Sequence, residues 1–268
     1  MPAASSKMVK SACRVLQILE YFNDERPTAS TSDFSREYGY PLSSASELLH
    51  CLVSLGYLDY EADCRRYRPT AKVAVLGNSV QPELFRHGHL IAMMDEVAER
   101  TGELVVMSRV FGLSVQYIHA IQATNPISLR IPYGHQTSLL HSGHGRLLIS
   151  TYPKDRLDKL VRRVNSEEPN FDRHVKLDDL NKSLHILRQQ GYALSLDAVV
   201  PGSGMLALLV RAPNAGSHLA IGIGGVSSII EKNACELLDI MYDALNNHGL
   251  ADMIEYYKPC ASNKVRAH

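Results

Sequence analysis

The sequence predicts an α+β protein that consists of a winged helix-turn-helix, a linker helix and a larger α/β domain. The first observation is a helix that ends at Gly39, followed by Pro41 and a second amphipathic stretch. The second is a hairpin with three arginines shortly after that stretch. The third is the length of 268 residues, about three times what one winged helix needs, so a second domain is expected.

Local signals place the three helices of the helix-turn-helix. Apolar spacing predicts a first helix over residues 9–22, and a second helix is expected over residues 31–38. Gly39 can adopt the left-handed geometry that ends a helix, and Pro41 prevents the helix from continuing. A third helix then begins near Ser43–Ser44 and turns one apolar face inward. Its predicted buried residues are Ala45, Leu48, Leu49, Leu52 and Leu55.

The outer face of the third helix and the following hairpin are predicted to contact DNA. Two short strands, over residues 57–60 and 66–69, flank a polar tip over residues 61–65. Arginines on such a hairpin can lie along phosphates or in the minor groove, although an arginine cluster on an exposed turn can also be ordinary solvated surface. The predicted DNA-binding residues are Ser11, Ser43, Ser44, Ser46, Glu47, His50, Arg65, Arg66 and Arg68.

Glu47 has two alternative roles in this scheme. Ser44 and Glu47 have the spacing of a capping box, in which the two side chains satisfy free backbone N–H groups at the start of a helix. Glu47 could instead accept a hydrogen bond from the amino group of a cytosine in the major groove. The cap is the interpretation that the sequence favours.

The rest of the chain is predicted to form a connecting helix and a sheet covered by helices. A short apolar segment over residues 73–76 precedes a long helix that begins at Pro82 and runs to Arg100, which we interpret as the linker between the domains. Strands are expected over residues 104–110, 113–121, 128–131, 192–196, 205–211 and 219–225, with turns at 111–112 and 213–216. Helices are expected over residues 141–151, 154–163, 177–190 and 229–247. This order favours an antiparallel sheet with helices packed on it.

Other kinds of site are not supported by the sequence. No Ser-His-Asp or paired-carboxylate arrangement is recognisable, so an enzyme is not expected. The pairs His87–His89 and His141–His144 lack further ligands at a convincing spacing, and the five cysteines contain no C-x-x-C pair, so neither a metal nor a cofactor is expected. Because no apolar run is long enough to span a membrane and the N-terminus lacks a signal-peptide core, a cytoplasmic location is expected.

Six segments of the sequence carry a resemblance to a known family. They are residues 9–20, 38–58 and 65–68 in the first part, and residues 141–146 (His-Ser-Gly-His-Gly-Arg), 191–193 (Gly-Tyr-Ala) and 201–202 (Pro-Gly) in the second. In order and spacing they resemble the IclR family of bacterial transcriptional regulators. The resemblance implies a homodimer or a dimer of dimers (a homotetramer) on a pseudo-palindromic operator in double-stranded DNA, control of catabolic or transport genes, and a GAF-like domain that binds a small effector.

We therefore divide the chain into five predicted parts. They are a tail (residues 1–8), a winged helix-turn-helix DNA-binding domain (9–76), a linker helix (77–102), an effector-binding domain (103–250) and a C-terminal tail (251–268).

The balanced charge of the chain and two positions in the third helix leave open an alternative to specific DNA binding. Lys+Arg and Asp+Glu are both 28 in the whole chain, and residues 1–76 also carry equal numbers of acidic and basic side chains. Recognition helices that resemble this one usually carry Lys or Arg where this chain has Leu42 and Glu47. DNA binding would then depend on where the charges lie and on dimerisation. The alternative is a small-ligand-binding dimeric module whose helix-turn-helix does not bind DNA specifically.

The resemblance also indicates where an effector would bind. The positions that match the family's pocket are Ser195, Met205, Gly222 and Gly224, and their small or flexible side chains predict a roomier, more apolar cavity. Backbone amides over residues 143–145 would hold a carboxylate, and His144 would either assist or be a surface or capping residue. The predicted effector-binding residues are Leu129, Ser142, Gly143, His144, Ser195, Met205, Gly222 and Gly224. We expect a medium-sized organic carboxylate with a substantial apolar body, aromatic acids included, over a two- or three-carbon keto acid.

Overall fold

The computed structural model describes residues 9–23, 26–80, 89–131, 134–211 and 218–256. The chain divides into two compact units, Met1–Pro82 and Glu83–His268, and each unit is described by itself. Several sequence predictions lie outside the described residues. They are the tail over residues 1–8, the start of the linker helix at Pro82, His87, the turn over 213–216 and the end of the C-terminal tail.

The N-terminal unit is a winged helix-turn-helix. Its elements are α1 (Lys10–Tyr21), α2 (Thr31–Tyr38), α3 (Leu42–Ser54), the hairpin strands β1 (Leu58–Glu61) and β2 (Arg66–Pro69), and α4 (Ala71–Val80). Its core joins α1, α2 and α3 to the hairpin through buried residues that include Ile18, Phe34, Leu49, Leu52, Leu58 and Tyr67. The predicted elements are therefore present, although the apolar segment over residues 73–76 belongs to a helix that continues to Val80.

The capping box of this unit lies at the start of α2 and not at the start of α3. The Ser30 amide donates to Asp33 Oδ2 at 2.8 Å, and the Asp33 amide donates to Ser30 Oγ at 3.3 Å. Helix α3 begins at Leu42 with Pro41 as its N-cap and without a side-chain cap. The predicted cap of Ser44 by Glu47 is wrong, because the helix starts before Ser44 and places it inside the first turn.

The C-terminal unit is a six-stranded antiparallel sheet with helices. Its elements are α5 (His89–Thr101), β3 (Leu104–Phe111), β4 (Ser114–Ile121), β5 (Gln136–Ser138), α6 (Gly143–Ile149), α7 (Lys154–Glu167), α8 (Leu177–Gln190), β6 (Tyr192–Leu196), β7 (Ser203–Arg211), β8 (His218–Val226), α9 (Ser227–Lys232) and α10 (Ala234–Asn247). The strand order is β5-β4-β3-β8-β7-β6, and neighbouring strands run antiparallel.

Both faces of the sheet are buried under helices. Side chains of α5, α9 and α10 pack with one face in a cluster that includes Val105, Leu208 and Ile221. Side chains of α6, α7 and α8 pack with the other face, together with Ala207 and Ala220. Because successive strand residues face opposite sides, Tyr117, Met205 and Ser195 lie on the α6 side of the sheet.

Two predictions for this unit are wrong. Residues 128–131 do not form a strand, although they alternate polar and apolar residues. Leu129 and Ile131 instead pack against a small apolar cluster that contains Leu104 and Tyr117. The strand that follows, β5, was not predicted and pairs with β4. The predicted final helix over residues 229–247 is interrupted at Asn233, which separates α9 from α10.

Candidate functional site

Helix α3 has a buried apolar face and an exposed polar one. Ala45, Leu49 and Leu52 are buried, whereas Ser43, Glu47 and His50 are exposed, and Ser44 and Ser46 are half-buried. Leu55, which was predicted to be buried, is 53% exposed because α3 has already ended at Ser54. The polar face therefore remains open to a partner, and Ser11 on α1 is also exposed.

The three arginines of the hairpin have different surroundings. Arg65 lies exposed at the turn, with a positive φ of 55° that non-glycine residues adopt only occasionally. Arg68 Nη1 lies 3.2 Å from Glu61 Oε1, and its Nε lies 3.7 Å from Asp59 Oδ2. The Arg68 charge is therefore partly balanced within the hairpin, whereas Arg65 lies exposed at the turn, and its contact with DNA stays a prediction.

Arg66 ties the hairpin to the segment before α2. Its Nε donates to Thr28 Oγ1 at 2.7 Å, its Nη2 donates to the Thr28 carbonyl at 2.8 Å, and Nη2 lies 3.7 Å from Asp33 Oδ2. The pKa of Asp33 is held below its usual value, mainly by the hydrogen bond from the Ser30 amide, with a contribution from the Arg66 charge. Arg66 therefore serves to position the hairpin, and this geometry disfavours the phosphate contact predicted for it.

In the C-terminal unit, a cavity of about 180 Å³ lies beside the start of α6. Six of the predicted effector-binding residues line it: Leu129, Ser142, Gly143, His144, Ser195 and Met205. Further lining residues that the sequence did not indicate include Tyr117, Arg130, Ile131, Thr137, Val199 and Val200. The adjacent valines were a usable signal, because they form an apolar pair in a loop that ends with proline and glycine.

The start of α6 is packed closely onto the sheet. Ser142 is the N-cap, and its Oγ accepts from the Gly145 amide at 3.0 Å and donates to the Ser138 carbonyl at 2.6 Å. A Cβ at Gly143 would lie 2.9 Å from Ser195 Cβ, and one at Gly145 would collide with the backbone of Leu139. Because the Gly145 amide is used by Ser142, it is not available to a ligand. The predicted three-amide cradle over residues 143–145 is therefore reduced to two amides.

His144 is a buried wall of the cavity. It is 1% exposed, its Nδ1 lies 2.6 Å from Ser108 Oγ, and its ring meets that of Tyr117 at a centroid distance of 5.6 Å. Burial lowers the pKa of His144 to about 3, so the ring is neutral at physiological pH. It cannot provide the predicted charge-assisted hydrogen bond, and it is neither a surface nor a capping residue.

The space beside Gly222 and Gly224 is occupied by side chains of the protein itself. A Cβ at Gly222 would collide with Nε2 of His144, and one at Gly224 would lie 3.0 Å from Cε of Met205. Neither glycine lines the cavity. The expectation that the missing side chains leave space for a ligand is therefore wrong, because His144 and Met205 fill that space.

Two buried polar atoms among the cavity-lining residues lack a partner within the described part of the chain. They are Thr137 Oγ1 and His144 Nε2. Ser195 is also buried and lies beside Gly143. Burial raises the pKa of Tyr117 to about 12, so its hydroxyl stays protonated. The cavity thus combines a largely apolar lining with a few hydrogen-bonding groups, which is typical of a small-ligand site.

Neither a metal-binding cluster nor a membrane-spanning helix occurs among the described residues. Among them, no group of three or more His, Cys, Asp or Glu side chains is arranged to hold a metal ion. Within the same ranges, no helix is both long and apolar enough to cross a membrane.

Two family models match the chain, one in each unit. The IclR helix-turn-helix domain matches residues 11–62, and the C-terminal domain of the bacterial transcriptional regulator IclR matches residues 89–246. The chain belongs to the IclR family. Members of the IclR family are transcriptional regulators with a DNA-binding helix-turn-helix and an effector-binding domain, and they are not enzymes.

Individual IclR-family relatives are distant but span most of the chain. The regulator KdgR of Dickeya chrysanthemi is 22% identical over 257 residues, which cover 93% of this chain and 81% of KdgR. The regulator XynR of Escherichia coli K12 is 26% identical over 193 residues, which cover 70% of this chain and 74% of XynR.

Solved structures of IclR-family proteins share the fold. The Thermotoga maritima IclR structure has a TM-score of 0.62 at 18% identity and covers 90% of this chain and 99% of its own. An IclR homologue from Microbacterium hydrocarbonoxydans, solved in complex with 4-hydroxybenzoate, has a TM-score of 0.61 at 17% identity and covers 91% and 98%. At these identities the likeness establishes the fold alone.

Proposed function

We propose that this chain is an effector-responsive transcriptional regulator of catabolic or transport genes that binds a small carboxylate in its C-terminal cavity. The observation that carries this proposal is the cavity of about 180 Å³, which has an apolar lining and a buried, unpartnered hydroxyl at Thr137. An apolar cavity of about 150 Å³ is enough for benzene, so this one suits a single ring with its substituents. A two- or three-carbon keto acid would leave much of it unfilled.

The ligand's carboxylate would lie at the start of α6. The amides of Gly143 and His144 belong to the first turn, and the Ser195 hydroxyl is adjacent to Gly143. The apolar body would then extend over Leu129 and Met205, and the Thr137 hydroxyl would receive a second polar group. The homologue solved with 4-hydroxybenzoate binds a molecule of this kind, which supports an aromatic hydroxy acid as the first ligand to try.

DNA would be bound by a homodimer or a dimer of dimers on a pseudo-palindromic operator, in the cytoplasm. The exposed face of α3 would enter the major groove with Ser43, Glu47 and His50, and Arg65 would contact the backbone from the hairpin. Since Glu47 does not cap α3, its carboxylate is available to accept from a cytosine amino group. Ligand binding would shift the populations of dimer arrangements and thereby change the spacing between the two α3 helices.

Binding-site selection followed by titration in rising salt tests the DNA part of the proposal. We expect the full-length protein to enrich a pseudo-palindromic sequence, and its binding to weaken steeply with salt because phosphate contacts release counterions. Equal affinity for selected and random DNA would instead support a ligand-binding module without specific DNA binding.

Calorimetry with a panel of carboxylic acids tests the ligand part. Hydroxylated aromatic acids should bind more tightly than pyruvate or glyoxylate. Ser195→Ala should weaken the best acid about tenfold by removing a hydrogen bond to a charged group, whereas Ser228→Ala, on the exposed side of α9, should not. Tight binding of glyoxylate or pyruvate with no response to larger acids would show that this view of the cavity is wrong.

A further inference from the structure

The first residue of α3 is a leucine that the fold leaves exposed. Pro41 precedes the helix with φ −56° and ψ 136°, and Leu42 follows at 56% exposure. Single exposed leucines are ordinary on protein surfaces. Leu42 differs because of its position, since the N-terminal residues of the second helix of a helix-turn-helix are those that meet base edges.

The composition of α3 restricts the bases that it can recognise. Its sequence, LSSASELLHCLVS, contains no arginine, lysine, asparagine or glutamine. These four side chains make the common bidentate contacts to guanine and adenine, so α3 cannot make them. The remaining direct contacts are acceptance from a cytosine amino group, weaker contacts by serine or histidine, and apolar contact with the methyl group of thymine. Leu42 is the side chain of this helix that suits the methyl group.

We propose that Leu42 determines operator specificity by packing against the 5-methyl group of one thymine in each half-site. This rests on the proposed function, because it requires that the chain bind an operator. Uracil is the matched probe, since it pairs with adenine as thymine does and lacks only the methyl group. Removing one buried methyl group should weaken binding about fourfold per site.

The experiment combines a base change with a side-chain change. An operator is selected with the full-length protein, each thymine is replaced in turn by uracil, and the binding of wild-type protein and Leu42→Ala is compared by fluorescence anisotropy. With the wild type, one thymine in each half-site should show a loss of about fourfold. With Leu42→Ala, the loss at that position should disappear while other positions are unchanged.

Leu55→Ala is the matched control. Leu55 is 53% exposed just beyond the opposite end of α3, so this variant should keep the wild-type response to uracil. An equal uracil effect in the wild type and Leu42→Ala, or no sensitive thymine in the operator, would overturn the methyl contact and leave the proposed function intact. Failure to select any sequence would overturn the proposed function and the contact with it.

Discussion

Polar side chains are paired differently in two regions of the molecule, the hairpin of the N-terminal unit and the cavity of the C-terminal unit. Two of the three hairpin arginines already have partners within their own unit: Arg66 on Thr28, and Arg68 on acidic neighbours. Among the cavity-lining residues, Thr137 Oγ1 is buried without a partner in the described part of the chain. Two of the hairpin charges are thus used within the fold, whereas a neutral hydroxyl at the cavity has no protein partner.

The difference follows from the free energy of leaving a polar group without a partner, which is small at the surface and large in the interior. An exposed arginine is well solvated, so an internal partner adds little energy but fixes the position of a hairpin. A buried hydroxyl without a partner costs about 1–3 kcal/mol, and a stable fold retains it only at a few positions. An unpartnered buried group therefore points to a binding site more strongly than an exposed cation does.

The largest effect is expected where a side chain would expel His144. Gly222→Ala places a Cβ against the imidazole and 2.9 Å from the Leu206 carbonyl, so it should destabilise the C-terminal unit by about 1–3 kcal/mol. Gly224→Ala is the control, because Met205 Cε at 3.0 Å is the end of a flexible side chain and can move. Urea unfolding measures both variants. Equal stability of the two would break the assignment of His144 as a fixed wall.

A smaller effect, with opposite signs for stability and binding, is expected at Thr137. Thr137→Val removes an unpartnered buried hydroxyl at nearly constant volume, so the free protein should gain about 1 kcal/mol while an aromatic hydroxy acid binds more weakly. Thr101→Val is the matched control, because its hydroxyl donates to the Val97 carbonyl at 2.8 Å and its loss should destabilise. Thermal melts with and without ligand measure the stability of both variants. Equal changes in stability for Thr137→Val and Thr101→Val would show that the Thr137 hydroxyl is not free.

The smallest effects separate the two neighbouring arginines. Arg65→Ala should reduce the slope of log K against log salt by about 0.9 without changing stability, since it removes one phosphate contact. Arg66→Ala should leave that slope unchanged and lower the stability of the N-terminal unit by about 1 kcal/mol, because Thr28 loses two hydrogen bonds. A reduced slope for Arg66→Ala would show that it, too, contacts DNA.

Elements with strong local signals were predictable from the sequence. The bounds of α2 and α8 match their predictions, because Gly39 and Gly191 end these helices in the left-handed conformation. The residues Ser142, Gly143 and His144 were likewise identified, and they do line the cavity. The wrong start of α3 came from a serine and a glutamate whose spacing fits a cap that the helix does not use.

The full lining of the cavity could not be predicted from the sequence. Thr137 belongs to a three-residue strand that has no periodic signal, and Tyr117 reaches the same space from another strand. The expectation of ligand space at Gly222 was wrong, because the sequence of one strand cannot show that a histidine from α6 occupies that space. What fills a gap is decided by contacts between distant segments.

Asp33 links two elements that a sequence comparison would treat as separate. Its carboxylate accepts from Ser30 at the start of α2 and lies near Arg66 of the hairpin. A change of the Asp33 side chain would remove one half of the capping box of α2 and weaken the attachment of β2 in one step. Positions 33 and 66 should therefore vary together among related sequences, whereas position 65 should stay basic whatever operator each regulator recognises, because a phosphate contact does not depend on the DNA sequence.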